Sequence, residues 1–210
     1  MEIILSGGLN KYSWDSLHQS VLFTYAVQIK QLVSAGKKVA FVTLAKPDRF
    51  YDLIILPTYG KTVEIIDWSN LKTVDWSSYD TLFLLGGETR DLHRGLVRSR
   101  FSLSALKPSA ILFGDSAGAM VMGCYYYDET HVTAGVQIKY YRGFNPQSRL
   151  IVIVHANNSH YSDSSLQDHI RRFAMLKNLR VFALAENQAK QLEEATGELV
   201  EFKKGDIFGS

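Results

Sequence analysis

The sequence predicts a single α/β domain in which a mostly parallel central sheet is sandwiched between helix layers, a three-layer α/β/α arrangement. Three observations carry this expectation. Short apolar runs of strand length alternate along the chain with segments whose apolar residues recur at helical spacing. Runs such as Val39-Ala40-Phe41-Val42-Thr43-Leu44 and Thr81-Leu82-Phe83-Leu84-Leu85 are continuous rather than alternating, as parallel strands covered on both faces require. Several end in glycine-rich or polar loops, where open α/β sheets bind their ligands. With 210 residues, 46% hydrophobic and 21% charged, the chain can bury one sizeable core, and no composition shift, repeat or low-complexity stretch divides it.

Taken in order, Ile3 to Leu5 is a short strand ending at Gly7-Gly8, followed by a turn-rich stretch from Asn10 to Asp15. Apolar residues from Leu17 to Leu32 fall close to helical spacing, and Gly36 supplies a stop. Val39 to Leu44 is the next strand. Lys46 to Asp52 reads as loop or helix start, and Pro57 leaves Leu53 to Tyr59 unassigned. β-branching marks Thr62 to Asp67 as a strand. Asp75 to Asp80 reads as a helical turn before the strand Thr81 to Leu85, and Arg90 to Arg100 as a helix with Leu92, Leu96 and Val97 on one face. Pro108 marks the boundary before the apolar run at Ala110. Cys124 to Phe144, rich in tyrosine, reads as a hairpin or long loops over the C-terminal edge of the sheet. Leu150 to Val154 is a buried strand, Leu166 to Leu176 a helix, Val181 to Leu184 a strand, and Leu199 to Phe202 an antiparallel edge.

Composition excludes several classes of function. A formal net charge of +2 gives no basis for binding nucleic acid or an anionic membrane. No uncharged apolar run approaches the roughly 18 residues of a membrane span, and Met1 to Gly8 does not read as a signal peptide, so a cytoplasmic protein is expected. The lone cysteine, Cys124, suits a reducing compartment and reads as a buried structural residue.

The chemistry concentrates in Gly114-Asp115-Ser116-Ala117-Gly118, a Gly-x-Ser-x-Gly motif between an apolar run and a small-residue helix. On a sharp strand-to-helix turn, glycines two residues either side of the serine relieve crowding, and the hydroxyl stands clear of the strand end. A serine hydroxyl needs a base within hydrogen-bond reach and a third group to orient that base. Of the six histidines, His18, His93 and His169 fall in predicted helices and His131 in the aromatic loop. His155 and His160 remain, both after the strand ending at Val154. His160, in the turn-like Asn157-Asn158-Ser159-His160-Tyr161, is modestly favoured over His155, which sits nearer the strand end. Asp128, Glu129 and Glu186 are candidates for the acid. Gly86-Gly87 can bring backbone amides close to a substrate carbonyl, and with the Ala117 amide would form an oxyanion hole.

Together these segments resemble the dipeptidase E (peptidase E) family of serine exopeptidases, which includes the cyanophycinases. The resembling pieces are Leu84-Leu85-Gly86-Gly87-Glu88-Thr89, Gly114-Asp115-Ser116-Ala117-Gly118-Ala119, Ser159-His160-Tyr161 with Ile170 beyond it, and Ala185-Glu186-Asn187. The resemblance implies a class I glutamine-amidotransferase-like fold, Ser116 as nucleophile and His160 as base. It also implies Asp128 or Glu129 as the third member, with Asp128 slightly ahead, and Gly87 and Ala117 as oxyanion donors. Two departures stand out. Glu88 occupies a position where the family often has asparagine, putting a carboxylate beside the site. The family arginine that clamps an aspartyl side chain would fall near Leu166, so that charge would have to come from Arg142, Arg171 or Arg172.

The function expected is hydrolysis of small peptides, aspartyl or isoaspartyl ones among them, through an acyl-enzyme on Ser116, with no metal or organic cofactor. The partners expected are a small peptide substrate and a second copy of the chain in a homodimer, without nucleic acid or membrane. Two alternatives are a non-catalytic small-ligand-binding protein on the same scaffold and an α/β-hydrolase-like esterase. The esterase is disfavoured because no His-Gly-Gly-Gly-type segment precedes the motif.

Overall fold

The two faces of the central sheet are covered by two separate apolar clusters, and the division follows from strand geometry. The computed structural model describes residues 1–8, 25–47, 49–132, 135–193 and 197–201, with the backbone alone at 130–132 and 135–136. The strands are β1 (Glu2–Ser6), β2 (Val39–Val42), β3 (Glu64–Ile66), β4 (Thr81–Leu84), β5 (Ile111–Asp115), β6 (Tyr125–Val132), β7 (Gly135–Arg142), β8 (Leu150–Ile153), β9 (Arg180–Ala183), β10 (Ala189–Leu192) and β11 (Leu199–Glu201). The helices are α1 (Ala26–Ser34), α2 (Asp52–Tyr59), α3 (Thr89–Arg98), α4 (Ala117–Val121) and α5 (Ser164–Leu176).

Seven strands form one sheet in the order β11-β10-β1-β5-β4-β2-β3, parallel from β1 through β3, with β10 and β11 antiparallel at one edge. Successive side chains of a strand point to opposite faces. Ile3, Leu5, Val42, Leu82, Leu84 and Leu112 therefore pack on one side with Leu92 and Leu96 of α3 and with α4. Ile4, Phe41, Phe83 and Phe113 pack on the other with Ile29 and Leu32 of α1 and Ile55 and Tyr59 of α2. Register sets Phe41 beside Phe83 and Phe83 beside Phe113, with centroids 5.1 and 5.5 Å apart. Each such ring contributes about 1.5–3 kcal/mol by burial and adds ring-ring contact at these separations.

The helix ends follow local chemistry. Gly36, with φ 76°, lets the chain leave α1 in a left-handed turn. The Asp163 side chain accepts from the Leu166 amide at 2.8 Å and caps α5. The expected helix from Leu17 lies outside the described residues up to 24; its second half is α1. Pro57, which argued against a helix at Leu53 to Tyr59, sits inside α2. Its missing N–H leaves the Leu53 carbonyl without an intrahelical donor, and Leu53 is 83% exposed, so water can serve that oxygen. Among the described residues no helix is long and apolar enough to cross a membrane.

Two features depart from the sequence reading. The run at Leu150 and the strand at Val181 do not extend the main sheet. With the β6-β7 hairpin they form a second sheet in the order β7-β6-β8-β9. Strand β10, Ala-Lys-Gln-Leu, has no β-branched or aromatic residue, and exists because β1 pairs with it on one side and β11 on the other.

Register positions the site. Ser6 pairs with Asp115, and Leu5 and Leu84 both pair with Gly114, so β1, β5 and β4 end at one level with β5 between the other two. The loops at Gly7-Gly8, Ser116 and Gly86-Gly87 are therefore neighbours. The second sheet is stitched to the first of them: His155 N–H donates to Gly7 O and Asn187 N–H to Gly8 O, each at 2.9 Å.

Candidate active site

Ser116 joins β5 to α4 with φ 50° and ψ −108°, a left-handed conformation that costs a non-glycine residue of order 1–3 kcal/mol and persists only where the surroundings impose it. Here they do. A Cβ on Gly114 would stand 2.6 Å from Gly118 O, and one on Gly118 would stand 2.2 Å from Leu84 O, so the chain can turn this tightly only with glycine at both positions. The Ser116 amide is tied to Ser6 O at 3.0 Å. His155 (φ 52°) and Asn187 (φ 62°), beside the same site, share the left-handed backbone, as do Arg49, Arg100, Arg149 and Asn178 elsewhere.

Ser116 Oγ lies 3.1 Å from His155 Nε2, and His155 Nδ1 lies 2.9 Å from Glu186 Oε1. The His155 and Glu186 side chains are only 8% and 5% exposed. A carboxylate accepts and does not donate, so Nδ1 carries the imidazole proton and Nε2 is left to accept from the serine hydroxyl. Glu186 is held in turn: Asn158 Nδ2 donates to its Oε1 at 2.9 Å and its backbone N–H donates to Asn157 Oδ1 at 2.7 Å. Gly8 makes room for the imidazole, since a Cβ there would stand 2.5 Å from His155 Nε2. The Tyr161 ring packs 4.9 Å from the imidazole.

This corrects the expectation of His160 beside Ser116. His160 is exposed beyond β8, its N–H donating to Asn158 Oδ1 at 3.1 Å. The left-handed turn at His155 carries the chain away from the sheet directly after Val154, leaving the strand-end histidine facing Ser116 and moving His160 outward. The expectation of Asp128 or Glu129 against the histidine is likewise not met, and Glu186 takes that place. Both fall on β6, across the cavity, where Asp128 pairs with Arg90 at 3.5 Å. Burial pushes the Asp128 carboxyl up, against the opposing pull of Arg90 and Lys139. The signal for His155 was its place immediately after a continuous apolar strand, but its left-handed φ was not legible.

A cavity of about 340 Å³ opens over Ser116 and His155, lined also by Gly86, Gly87, Glu88, Asp128 and Glu129. Among the described residues the N–H groups of Gly87 and Ala117 donate to no protein acceptor. Gly87 has φ 139°, and a Cβ there would stand 2.2 Å from Ala45 O. Glu88 lines this cavity and an adjoining one of about 550 Å³ that contains Arg90 and Arg94. Leu166 is buried on α5 at the position of the expected clamp, and Arg142, Arg171 and Arg172 line neither cavity. Cys124 is buried, which pushes its thiol up and keeps it protonated.

Asp115, next to the serine, is 8% exposed. Ser6 Oγ donates to its Oδ1 at 2.7 Å, yet burial outweighs this bond and pushes the carboxyl up to about 6. Its charge also raises the nearby Tyr25 and Tyr51 hydroxyls, for which burial is the larger cause. The folded state thus holds this proton more tightly than the unfolded chain, and stability falls as pH rises from about 4 to 6. Asp115→Asn is expected to stabilise the fold at pH 8 by up to about 3 kcal/mol, a gain that disappears near pH 4. Denaturant midpoints at the two pH values check this, and an equal gain at both would contradict it.

No protein-family model and no curated protein matches the chain, so the site's own geometry carries the functional reading.

Proposed function

We propose that this protein is a serine-type hydrolase of small peptides, related to the dipeptidase E family, on a three-layer α/β/α scaffold with Ser116 at a nucleophile elbow. The single observation that supports this best is the hydrogen-bonded series Ser116, His155, Glu186, with separations of 3.1 and 2.9 Å, at the open end of a parallel sheet. Structural histidines rarely join a strained serine to a buried carboxylate beside a cavity, whereas acyl transfer requires that order of groups.

In this reading His155 Nε2 takes the Ser116 proton as Oγ attacks the scissile carbonyl carbon. Glu186 stabilises the imidazolium that forms and fixes its orientation. The amides of Gly87 and Ala117 receive the developing oxyanion, a contribution of about 3–4 kcal/mol for one donor in other hydrolases. His155 then returns the proton to the leaving amine, and water releases the acyl group by the same steps in reverse. Chain ends of about dipeptide size suit the 340 Å³ cavity. An aspartyl preference has less support, because the clamp position is Leu166 and the cavity is lined by Glu88, Asp128 and Glu129.

A fluorophosphonate probe, with the modified peptide located by mass spectrometry, tests the proposal together with hydrolysis of a dipeptide and isoaspartyl-peptide panel. Stoichiometric labelling of Ser116 with turnover of at least one peptide is expected. An unlabelled serine in folded protein would instead favour the binding-protein alternative.

A further inference from the structure

Tyr51 makes a hydrogen bond that the Ser116, His155, Glu186 series does not use. The residue stands directly before α2, where its carbonyl accepts from the Ile54 and Ile55 amides at 3.0 and 2.8 Å, and its side chain packs against the apolar cluster on that face of the sheet. From there its hydroxyl reaches the loop after β4 and donates to Gly86 O at 2.7 Å. Burial, with the Asp115 charge as the lesser cause, pushes the hydroxyl up, so it stays protonated and a donor through the neutral range. Gly86 O and Gly87 N–H belong to one trans peptide and point in opposite directions. Turning that peptide over changes ψ of residue 86 and φ of residue 87, and glycine at both positions removes the side-chain clashes that would oppose it. The peptides on either side are held from the β2 end of the sheet, Leu85 N–H donating to Val42 O at 3.1 Å and Glu88 N–H to Ala45 O at 2.7 Å. The direction of the Gly87 N–H therefore depends on what holds the Gly86 carbonyl. Tyr51, Gly86, Gly87 and Ser116 line one cavity, and a Cβ at 86 would stand 3.1 Å from Ser116 Cβ, so this peptide lies against the serine.

We propose that Tyr51 is a positioning residue for the oxyanion site: by holding Gly86 O, it keeps the Gly87 N–H aimed at the carbonyl oxygen of the substrate. This role rests on Ser116 being the nucleophile. As Oγ bonds to the carbonyl carbon, the serine proton passes to His155 Nε2 and the carbonyl oxygen takes the negative charge that the Gly87 N–H meets. The tyrosine also strengthens that donor, because hydrogen bonds in series polarise one another and the two ends of one peptide are such a series.

The test compares wild type with Tyr51→Phe, which keeps the ring, and with Tyr59→Phe, which removes a hydroxyl at the far end of α2 from a residue that does not line the cavity. Kinetics on the best dipeptide substrate are read beside inhibition by an amino-acid aldehyde, to whose carbonyl Ser116 can add, and by the matching alcohol, to which it cannot. Tyr51→Phe is expected to lower kcat about tenfold to a hundredfold, less than the roughly 10²- to 10³-fold that follows outright loss of an oxyanion donor, with KM within about threefold. Aldehyde affinity should fall by a similar factor while alcohol affinity holds, and Tyr59→Phe should keep kcat within about threefold. An unchanged kcat in Tyr51→Phe, an equal loss in Tyr59→Phe, or equal losses of aldehyde and alcohol affinity would overturn the positioning role and leave the hydrolase reading standing. A wild type that neither turns over any peptide nor binds the aldehyde more tightly than the alcohol would overturn both.

Discussion

Replacing His155 by alanine is expected to lower kcat about 10⁶-fold, by analogy with the loss of a triad histidine in other serine hydrolases, whereas His160→Ala leaves it within about threefold. The contrast comes from geometry. His155 Nε2 is 3.1 Å from Ser116 Oγ, within reach of the proton it must take, and its ring is fixed by Glu186, Gly8 and Tyr161. His160 is exposed and lies outside the residues lining the cavity. Alanine at 155 leaves no other imidazole at the serine among the described residues and deprives Glu186 of that partner, while Asn158 keeps the carboxylate hydrogen-bonded. Steady-state kinetics on the best peptide of the panel decide the matter: a loss on His160→Ala that matches the His155→Ala loss would reassign the base.

Glu186→Gln is expected to cost about 10³- to 10⁴-fold in kcat with little change in KM. A glutamine is nearly isosteric, so the fold and the cavity remain. Its amide, however, has one acceptor oxygen where the carboxylate served both His155 Nδ1 and Asn158 Nδ2 through Oε1. If the NH₂ turns toward the ring, Nδ1 must accept, Nε2 carries the proton, and the serine loses its base. The parallel substitutions Asp128→Asn and Glu129→Gln, across the cavity from the imidazole, should change KM and cost at most about tenfold in kcat. Equal losses in kcat at Asp128 and Glu186 would contradict the assignment of the acid.

The readable parts of this chain were those governed by local rules. The strands at Ile3, Val39, Thr81, Ile111 and Leu150 stand where continuous apolar runs put them, because burial on both faces leaves a run in one sequence segment. The turn at Ser116 was legible from its flanking glycines, since a Cβ at either meets backbone at 2.6 Å or less. Gly87 and Glu88 fell beside the serine for a related reason: loops at the ends of adjacent parallel strands must be neighbours. By contrast, nothing local distinguishes β10, whose Ala-Lys-Gln-Leu becomes a strand through pairing with β1 and β11.

The choice of base and acid belonged to tertiary structure. In sequence, His155 and His160 are five residues apart after one strand, and Asp128, Glu129 and Glu186 are three carboxylates in two segments that both read as loops. The deciding facts are the left-handed backbone at His155 and the hydrogen bonds that tie the ends of β8 and β9 to Gly7 and Gly8. Asp115 makes the same point from the other side: its burial and its bond to Ser6 exist only because β1 and β5 run in register. The sequence by itself determined which serine stands on the tight turn and what kind of sheet carries it, because those depend on residues within a few positions of one another. Which histidine and which carboxylate face that serine was decided by contacts between segments 39 and 31 residues apart, whose geometry no local pattern encodes.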